Sequence, residues 1–470
     1  MDYDSFIDMV WEFDDYLWFL PFILIICLGL YATIKLKGIQ FLQLKEMCRV
    51  TFSLEKTEKN QVSPFQVFCV SMGNRIGVGN IAGPITALIM GGPGAIFWMW
   101  VFATLGGATS FIETTVGQIY KSRDAEGRFI GGPAHNVAKG LKSKKFGILV
   151  AVLMICVYIG GYVLSEISTI STSFTGAYDF EYNNLVIAFI LCVIAVLVAL
   201  GGFKRVAQIS TFVVPFMAFA WIVLCVVVIV MNFEGLPDGI KAIFECAFNV
   251  PAAVGGGVGA MLTIALRRGI WSNEAGEGTI TNISSSAAVA HPARQGLSQS
   301  IGVLFDTLIS TVTALVVLSC LDVNEIITTD LDSMPLLEHV MEVTIGGIAP
   351  TLVFFFLFLF AITCFMGDYV IGENNLKFIT SDPKAKWGLV LVTIGIVFFS
   401  AYYGSDGLYA IMDVLLAICG VVNCIVMFKL GKYALEAWKD YTEQKKAGIK
   451  DPVFHKSVLS DSENVTEWDE

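Results

Sequence analysis

Charge is what this chain has least of. Only 15% of its 470 residues are Asp, Glu, Lys or Arg, against roughly 25% in a soluble domain. Histidine is scarcer still. There are four, scattered, with no pair at a metal-ligand spacing and none in the middle of an apolar run. No C-x-x-C occurs among the 11 cysteines, which removes zinc ribbons and dithiol redox chemistry. Those inside apolar runs, such as Cys69, Cys225 and Cys419, read as small hydrophobes. The first residues are acidic and lack the basic start of a signal peptide, so no cleaved leader is expected. A membrane enzyme needs a nucleophile–base or metal constellation, and the sequence offers none. A channel would show repeated filter loops, and these are missing too.

What is present is apolar length. The chain is 55% hydrophobic, with a mean hydropathy of +0.70. A helix needs about 20 apolar residues to cross a bilayer, and the runs from Leu17–Ile34 to Leu408–Phe428 give about eleven crossings. Two of them are read at Leu185–Leu200 and Thr211–Met231, and another at Ile243–Leu266. Alternate connections are basic (Lys35 to Lys59, Lys121 to Lys145, Lys204 and Arg205), and the others acidic (Asp179, Glu234, Asp238, Asp322). Basic connections mark the cytoplasm, which puts the N-terminus outside and the C-terminus inside, in the cell membrane. With the first span set aside, two sets of five remain, and an odd number inverts the second set. The expected organisation is an extra span and linker over 1–63, a first repeat over 64–232, an inverted second repeat over 239–431 and a cytoplasmic tail over 432–470. After Lys445 the tail is polar, ends acidic and is expected to be disordered.

Each half carries one glycine-rich interruption of an apolar run. The first is Gly73-Asn74-Arg75-Ile76-Gly77-Val78-Gly79-Asn80-Ile81-Ala82-Gly83; the second is read at Asn249 to Gly259 and holds Gly255 and Gly257. Irregular backbone survives at membrane depth only where it lines a protected cavity. Paired interruptions at corresponding positions point to the binding site of a secondary transporter. Free amides at a half-helix N-terminus attract a carboxylate, and free carbonyls attract a cation. Gly77-Val78-Gly79 also looks like the start of a dinucleotide fingerprint, but that needs a preceding strand and a βαβ unit, and neither exists. The polar run Ser272-Asn273-Glu274-Ala275-Gly276-Glu277-Gly278 is read as an inner connection that caps a helix, with a gate pairing to Arg267 or Arg294 as the alternative.

The stretch from Gly77 to Gly83, followed by Gly91-Gly92-Pro93-Gly94-Ala95-Ile96-Phe97-Trp98-Met99-Trp100, resembles the signature of the sodium:alanine symporter family. So do Gly131-Gly132-Pro133, Arg268-Gly269-Ile270-Trp271-Ser272-Asn273-Glu274-Ala275-Gly276, His291-Pro292 and Arg294-Gln295. The resemblance covers nearly the whole chain. It implies an all-α fold of the leucine-transporter type, a five-plus-five inverted repeat with one extra N-terminal helix, and sodium-driven symport of a small amino acid of the alanine or glycine class. The implied partners are an amino-acid substrate, a sodium ion and the bilayer, with no cofactor and no nucleic acid.

Carried over residue by residue, the resemblance implies a sodium site of Gly73 and Ile76 carbonyls facing Thr363 and Cys364. It implies a substrate site of Gly77, Gly79, Asn80, Ser165, Ser168, Asn249, Gly255, Gly257, Arg75 and Asp368. The family pattern has threonines where Arg75 and Val78 stand, a hydroxyl where Cys364 stands and an aromatic residue where Asp368 stands. An arginine at mid-span costs roughly 2.5–3.5 kcal/mol unless paired or hydrated. Arg75 is therefore expected to snorkel, to pair with Asp368, to bind an anionic substrate group or to stand in for a sodium ion. The last two, or a substrate that is larger and polar or charged, would change the substrate or the coupling ion, with a proton as the alternative to sodium.

Overall fold

The computed structural model describes residues 3–53, 61–178, 180–249, 257–404 and 406–468. It is built almost wholly of helices. At the start, α1 (Tyr3–Leu17) and α2 (Phe19–Lys35) lead to the short α3 (Ile39–Leu42) and α4 (Leu44–Thr51). The first half then runs through α5 (Pro64–Arg75), α6 (Gly79–Gly91), α7 (Gly94–Ile119), α8 (Pro133–His135), α9 (Lys144–Ile155), α10 (Val163–Ala177) and α11 (Asn183–Met231). The second half holds α12 (Leu236–Cys246), α13 (Gly257–Asn273), α14 (Thr279–Ser284), α15 (Pro292–Cys320), α16 (Val323–Ile327) and α17 (Ser333–Ile345). It ends with α18 (Ala349–Ile379), α19 (Pro383–Tyr403) and α20 (Asp406–Lys446). Among the described residues the only strands are Ser122–Arg123 and Phe129–Ile130, a small antiparallel hairpin.

Among the described residues eight helices are long and apolar enough to cross a membrane. One of them, α11, bends at Gly202 (φ 64°, ψ 174°), a left-handed position that glycine adopts without strain. Counted with its second limb and with the two interrupted helices α5–α6 and α13–α14, these helices are compatible with the eleven crossings expected from the sequence. The reading of Leu185–Leu200 and Thr211–Met231 as separate spans matches the two limbs. Within the span read at Ile243–Leu266, α12 ends at Cys246, residues 250–256 lie outside the described set, and α13 covers Gly257 onward.

Local chemistry sets the entry into the first interrupted helix. Ser63 accepts a hydrogen bond from the Gln66 amide while the Gln66 side chain accepts one from the Ser63 amide, a capping box with Pro64 at the first helical position. Both orphan donors are thereby satisfied. Just before it, Val62 bridges Ala287, and the Ala288 amide donates to the Val62 carbonyl at 3.2 Å. The start of α5 is thus tied to the segment that follows α14.

The polypeptide after α20 is ordered, contrary to the expectation of disorder. Two aromatic anchors and a complementary charge pattern hold it. The Phe454 amide donates to the Ala290 carbonyl at 2.9 Å, and the Trp468 indole donates to the Gln118 carbonyl at 3.0 Å. The Lys121 amine lies 3.8 Å from the Phe129 ring and 4.5 Å from the Trp468 ring. Acidic Glu467 and Glu463 reach Arg123 and Lys142. The acidic composition that suggested disorder is matched to the basic ends of the helices it covers.

Candidate functional site

The first interruption covers Ile76 to Val78. The Gly77 amide turns to the Arg75 carbonyl at 2.9 Å and to Asn80 Oδ1 at 3.2 Å. In an unbroken helix that amide would serve the Gly73 carbonyl, which therefore loses its helical donor. The next carbonyl, of Asn74, accepts from the Cys364 thiol at 3.1 Å. Thr363 lies against Gly73, where a Cβ would sit 3.7 Å from its Oγ1. Thr363 donates to the Phe360 carbonyl at 3.0 Å. The structure thus brings Gly73, Thr363 and Cys364 together at the α5–α18 contact, beside Ile76.

A helix interruption faces this one at Glu274 to Gly278, between α13 and α14; of the second break read at Asn249 to Gly259, residues 250–256 lie outside the described residues. Glu274, Gly276 and Gly278 have φ of 54°, 103° and 82°, so the backbone is irregular there. The Asn74 side chain donates to Glu274 Oε1 at 2.9 Å and to Oε2 at 3.1 Å. Asn423 on α20 donates to the Gly276 carbonyl at 2.9 Å and to Glu113 at 2.6 Å. Glu274 is buried, Ser272 and Asn273 end α13 and α14 starts from Gly278 without a side-chain cap, so the reading of this run as a helix cap is corrected. Gly257 stands 16 residues before Asn273 in α13, about 24 Å along a helix axis, and Asn249 is exposed beyond it. Gly255 lies outside the described residues.

Arg75 is buried and neither snorkels nor pairs with Asp368. Its Nε donates to the Asn273 carbonyl at 3.0 Å, Nη1 to the Gln299 carbonyl at 2.9 Å and Nη2 to Ser110 Oγ at 2.9 Å. The guanidinium therefore joins the end of α5 to α7, α13 and α15. A Cβ on Gly302 would come within 2.5 Å of Nη1, which is why a glycine faces it. Gly79 opens α6, and its neighbour Asn80 spans to α15. Its amide donates to Asp306 Oδ1 at 2.6 Å and to Ser310 at 3.1 Å, and Ser272 donates to the other Asp306 oxygen at 2.9 Å. Beside Asp306, Ser272 and Ser310 is a cavity of about 10 Å³, the size that one water fills.

On α10 the residue turned to the first interruption is Glu166. Its Oε1 would lie 3.3 Å from a Cβ on Gly77. Ser165 and Ser168 are only half-buried on either side of it. Just before α10, a π-helical turn at Cys156–Tyr162 points Tyr158 and Tyr162 at Thr279 and Glu277 beside the second interruption. Such π turns often sit at functional sites, and Gly160-Gly161 was the available signal. Asp368 is fully buried on α18, next to Asn74.

Residues 3–456 match the profile of the sodium:alanine symporter family. The chain belongs to that family. It is 36% identical over 460 residues to the amino-acid carrier protein AlsT of Bacillus subtilis, covering 97% of this chain and 96% of AlsT. It is 38% identical to the probable sodium/glutamine symporter GlnT of the same organism, covering 97% and 94%. It is 32% identical to a sodium/proton-dependent alanine carrier protein of Bacillus sp. strain PS3, covering 86% and 93%. Among solved structures it resembles MhsT in complex with L-phenylalanine, with a TM-score of 0.58 at 14% identity, over 87% of this chain and 94% of that one. The fold is of the leucine-transporter type, and this family member is a membrane transporter with amino-acid carriers as relatives, not an enzyme.

Proposed function

We propose that the chain imports a small amino acid of the alanine or glycine class together with sodium. It works from a cell membrane with its N-terminus outside and its C-terminus in the cytoplasm. The observation that carries this reading is the pair of facing interruptions, Ile76–Val78 and Glu274–Gly278, joined by Asn74 and Glu274. A zwitterion suits backbone that offers amides to its carboxylate and carbonyls to a cation. Gly77, Gly79 and Asn80 contribute the substrate wall on α6. The Gly73 and Ile76 carbonyls with Thr363 and Cys364 contribute the sodium donors; the thiol is the weakest of these, since sodium prefers oxygen. The basic helix ends beneath the docked tail support a cytoplasmic placement of that side.

A second reading is carriage of a larger polar or charged amino acid, with proton coupling. Asp368 and Glu166 favour it, because they add buried carboxyls to the same region. Uptake into proteoliposomes under a sodium gradient, with choline as the replacement cation and a pH series, decides the coupling ion. With one sodium per neutral substrate, a potential of about 100 mV contributes roughly 2.3 kcal/mol. A tenfold gradient contributes about 1.4 kcal/mol more. Uptake that survives choline at every pH removes sodium coupling.

A further inference from the structure

Four acceptor atoms beside the first interruption have no hydrogen-bond partner: both carboxylate oxygens of Asp368, Oε2 of Glu166 and Oδ1 of Asn74. Asp368 is 0% exposed, Asn74 1% and Glu166 4%. The three side chains come from α18, α5 and α10, so three separate elements bring unpartnered oxygens into one neighbourhood. Asp368 has Glu166, Glu274 and Asn74 as its polar neighbours, and Glu166 lies against Cys364 and the Val78 amide. Gly367 keeps this arrangement open, because a Cβ there would collide with Asn74 Oδ1. Folded proteins seldom leave a buried acceptor unsatisfied, since each costs about 1–3 kcal/mol.

Among the described residues only the Asn74 side chain comes near enough to donate to Asp368, and its amide is committed to Glu274. Arg75 spends its guanidinium on Asn273, Gln299 and Ser110, and among the described residues no ion pair reaches Asp368 or Glu166. With both carboxyls ionised the vacancies are all acceptors, and the complement is a donor-only group with several N–H bonds and a positive charge: an ammonium or a guanidinium. A chelated metal ion fits less well. Among the described residues no three His, Cys, Asp or Glu side chains converge as metal ligands.

Resting on the amino-acid transport reading, we propose that Asp368, Glu166 and the Asn74 side-chain oxygen receive a second positive charge carried on the substrate's side chain. The carrier then prefers a cationic amino acid over its neutral counterpart of equal length. The α-amino and α-carboxylate groups remain with the two interrupted helices, while the distal cation lies toward α10 and α18.

The test is counterflow in proteoliposomes holding the full chain, with labelled alanine or glutamine as the exchanged substrate. Lysine and ornithine compete against norleucine and norvaline, which have the same chain without the ammonium. The expected result is competition by the cationic member of each pair at roughly tenfold lower concentration, about 1.4 kcal/mol. Asp368→Asn brings that ratio close to one, and so does Glu166→Gln, which serves should the first variant fail to fold. Equal competition within each pair, with neutral amino acids still exchanged, overturns this proposal and leaves the transport reading standing. Exchange of no amino acid overturns both. A shift in the sodium concentration for half-maximal uptake in Asp368→Asn, with the lysine-to-norleucine ratio unchanged, assigns the charge to the coupling ion and overturns the proposal.

Discussion

Asn74 gives its side-chain amide to both carboxylate oxygens of Glu274, at 2.9 and 3.1 Å, and so locks the two interrupted helices to each other. Hydrogen bonds to a charged group contribute about 1.5–3 kcal/mol. Removal of the carboxylate by Glu274→Ala is expected to slow counterflow by tenfold or more. Glu274→Gln, which keeps one acceptor, is expected to retain more activity. Equal rates for both variants and the native chain would show that the lock carries no part of the transport cycle.

The role of Arg75 is a question of stability first. Breaking a buried charged network by removing one partner costs about 3–5 kcal/mol. Arg75→Ala should lower the melting temperature of the detergent-solubilised protein sharply. Arg75→Lys should lower it less, because one ammonium cannot reach α7, α13 and α15 together. Unchanged melting in both variants would release Arg75 from its bracing role.

Glycines give a contrast within one experiment. An alanine at Gly367 would collide with Asn74 Oδ1, so Gly367→Ala should abolish transport with near-normal membrane expression. Gly257 has open space around it and a φ of +63°, so Gly257→Ala should cost only about 1 kcal/mol and keep most of the activity. The opposite ranking would place the substrate near the start of α13.

Glu46 links α4 to the end of α20. Burial alone would raise its carboxyl, but hydrogen bonds from Arg49, Tyr441 and Lys445 outweigh that and hold it at about 2. The carboxylate is favoured in the folded state, so its stabilisation is complete above the ordinary value of about 4.5. It is lost as pH falls toward 2. Hydrogen exchange in residues 44–51, corrected for intrinsic rate, should stay constant from neutral pH to about 4.5 and then accelerate. Acceleration that begins near neutral pH would implicate a different group.

The number of crossings and the first interruption were legible because hydrophobic length and a glycine–asparagine run are local signals. The second interruption was not. Glu274 and Glu277 suggest contact with water, and only the folded arrangement shows them buried by Asn74, Tyr162 and their neighbours. Gly255 and Gly257 drew attention through glycine content alone, with no polar residue beside them to mark a site. Arg75 looked like a partner for Asp368 because both are charges in an apolar chain. Its partners are instead carbonyls of Asn273 and Gln299, and backbone acceptors leave no trace in a sequence. On α10 the resemblance pointed to Ser165 and Ser168, and only the folded arrangement shows that Glu166 between them is the residue turned to Gly77.

The tail has a practical consequence for handling the carrier. Trp468 is buried beside Lys121 and held by the Gln118 carbonyl. Gln118 in turn donates to the Ser284 and Ala287 carbonyls, directly after the half-helix α14. An affinity handle or fluorescent fusion placed behind Trp468 therefore departs from a structural anchor one hydrogen bond removed from the end of half-helix α14. A fusion at that end is itself a perturbation, and activity measured with it needs the untagged chain as its reference.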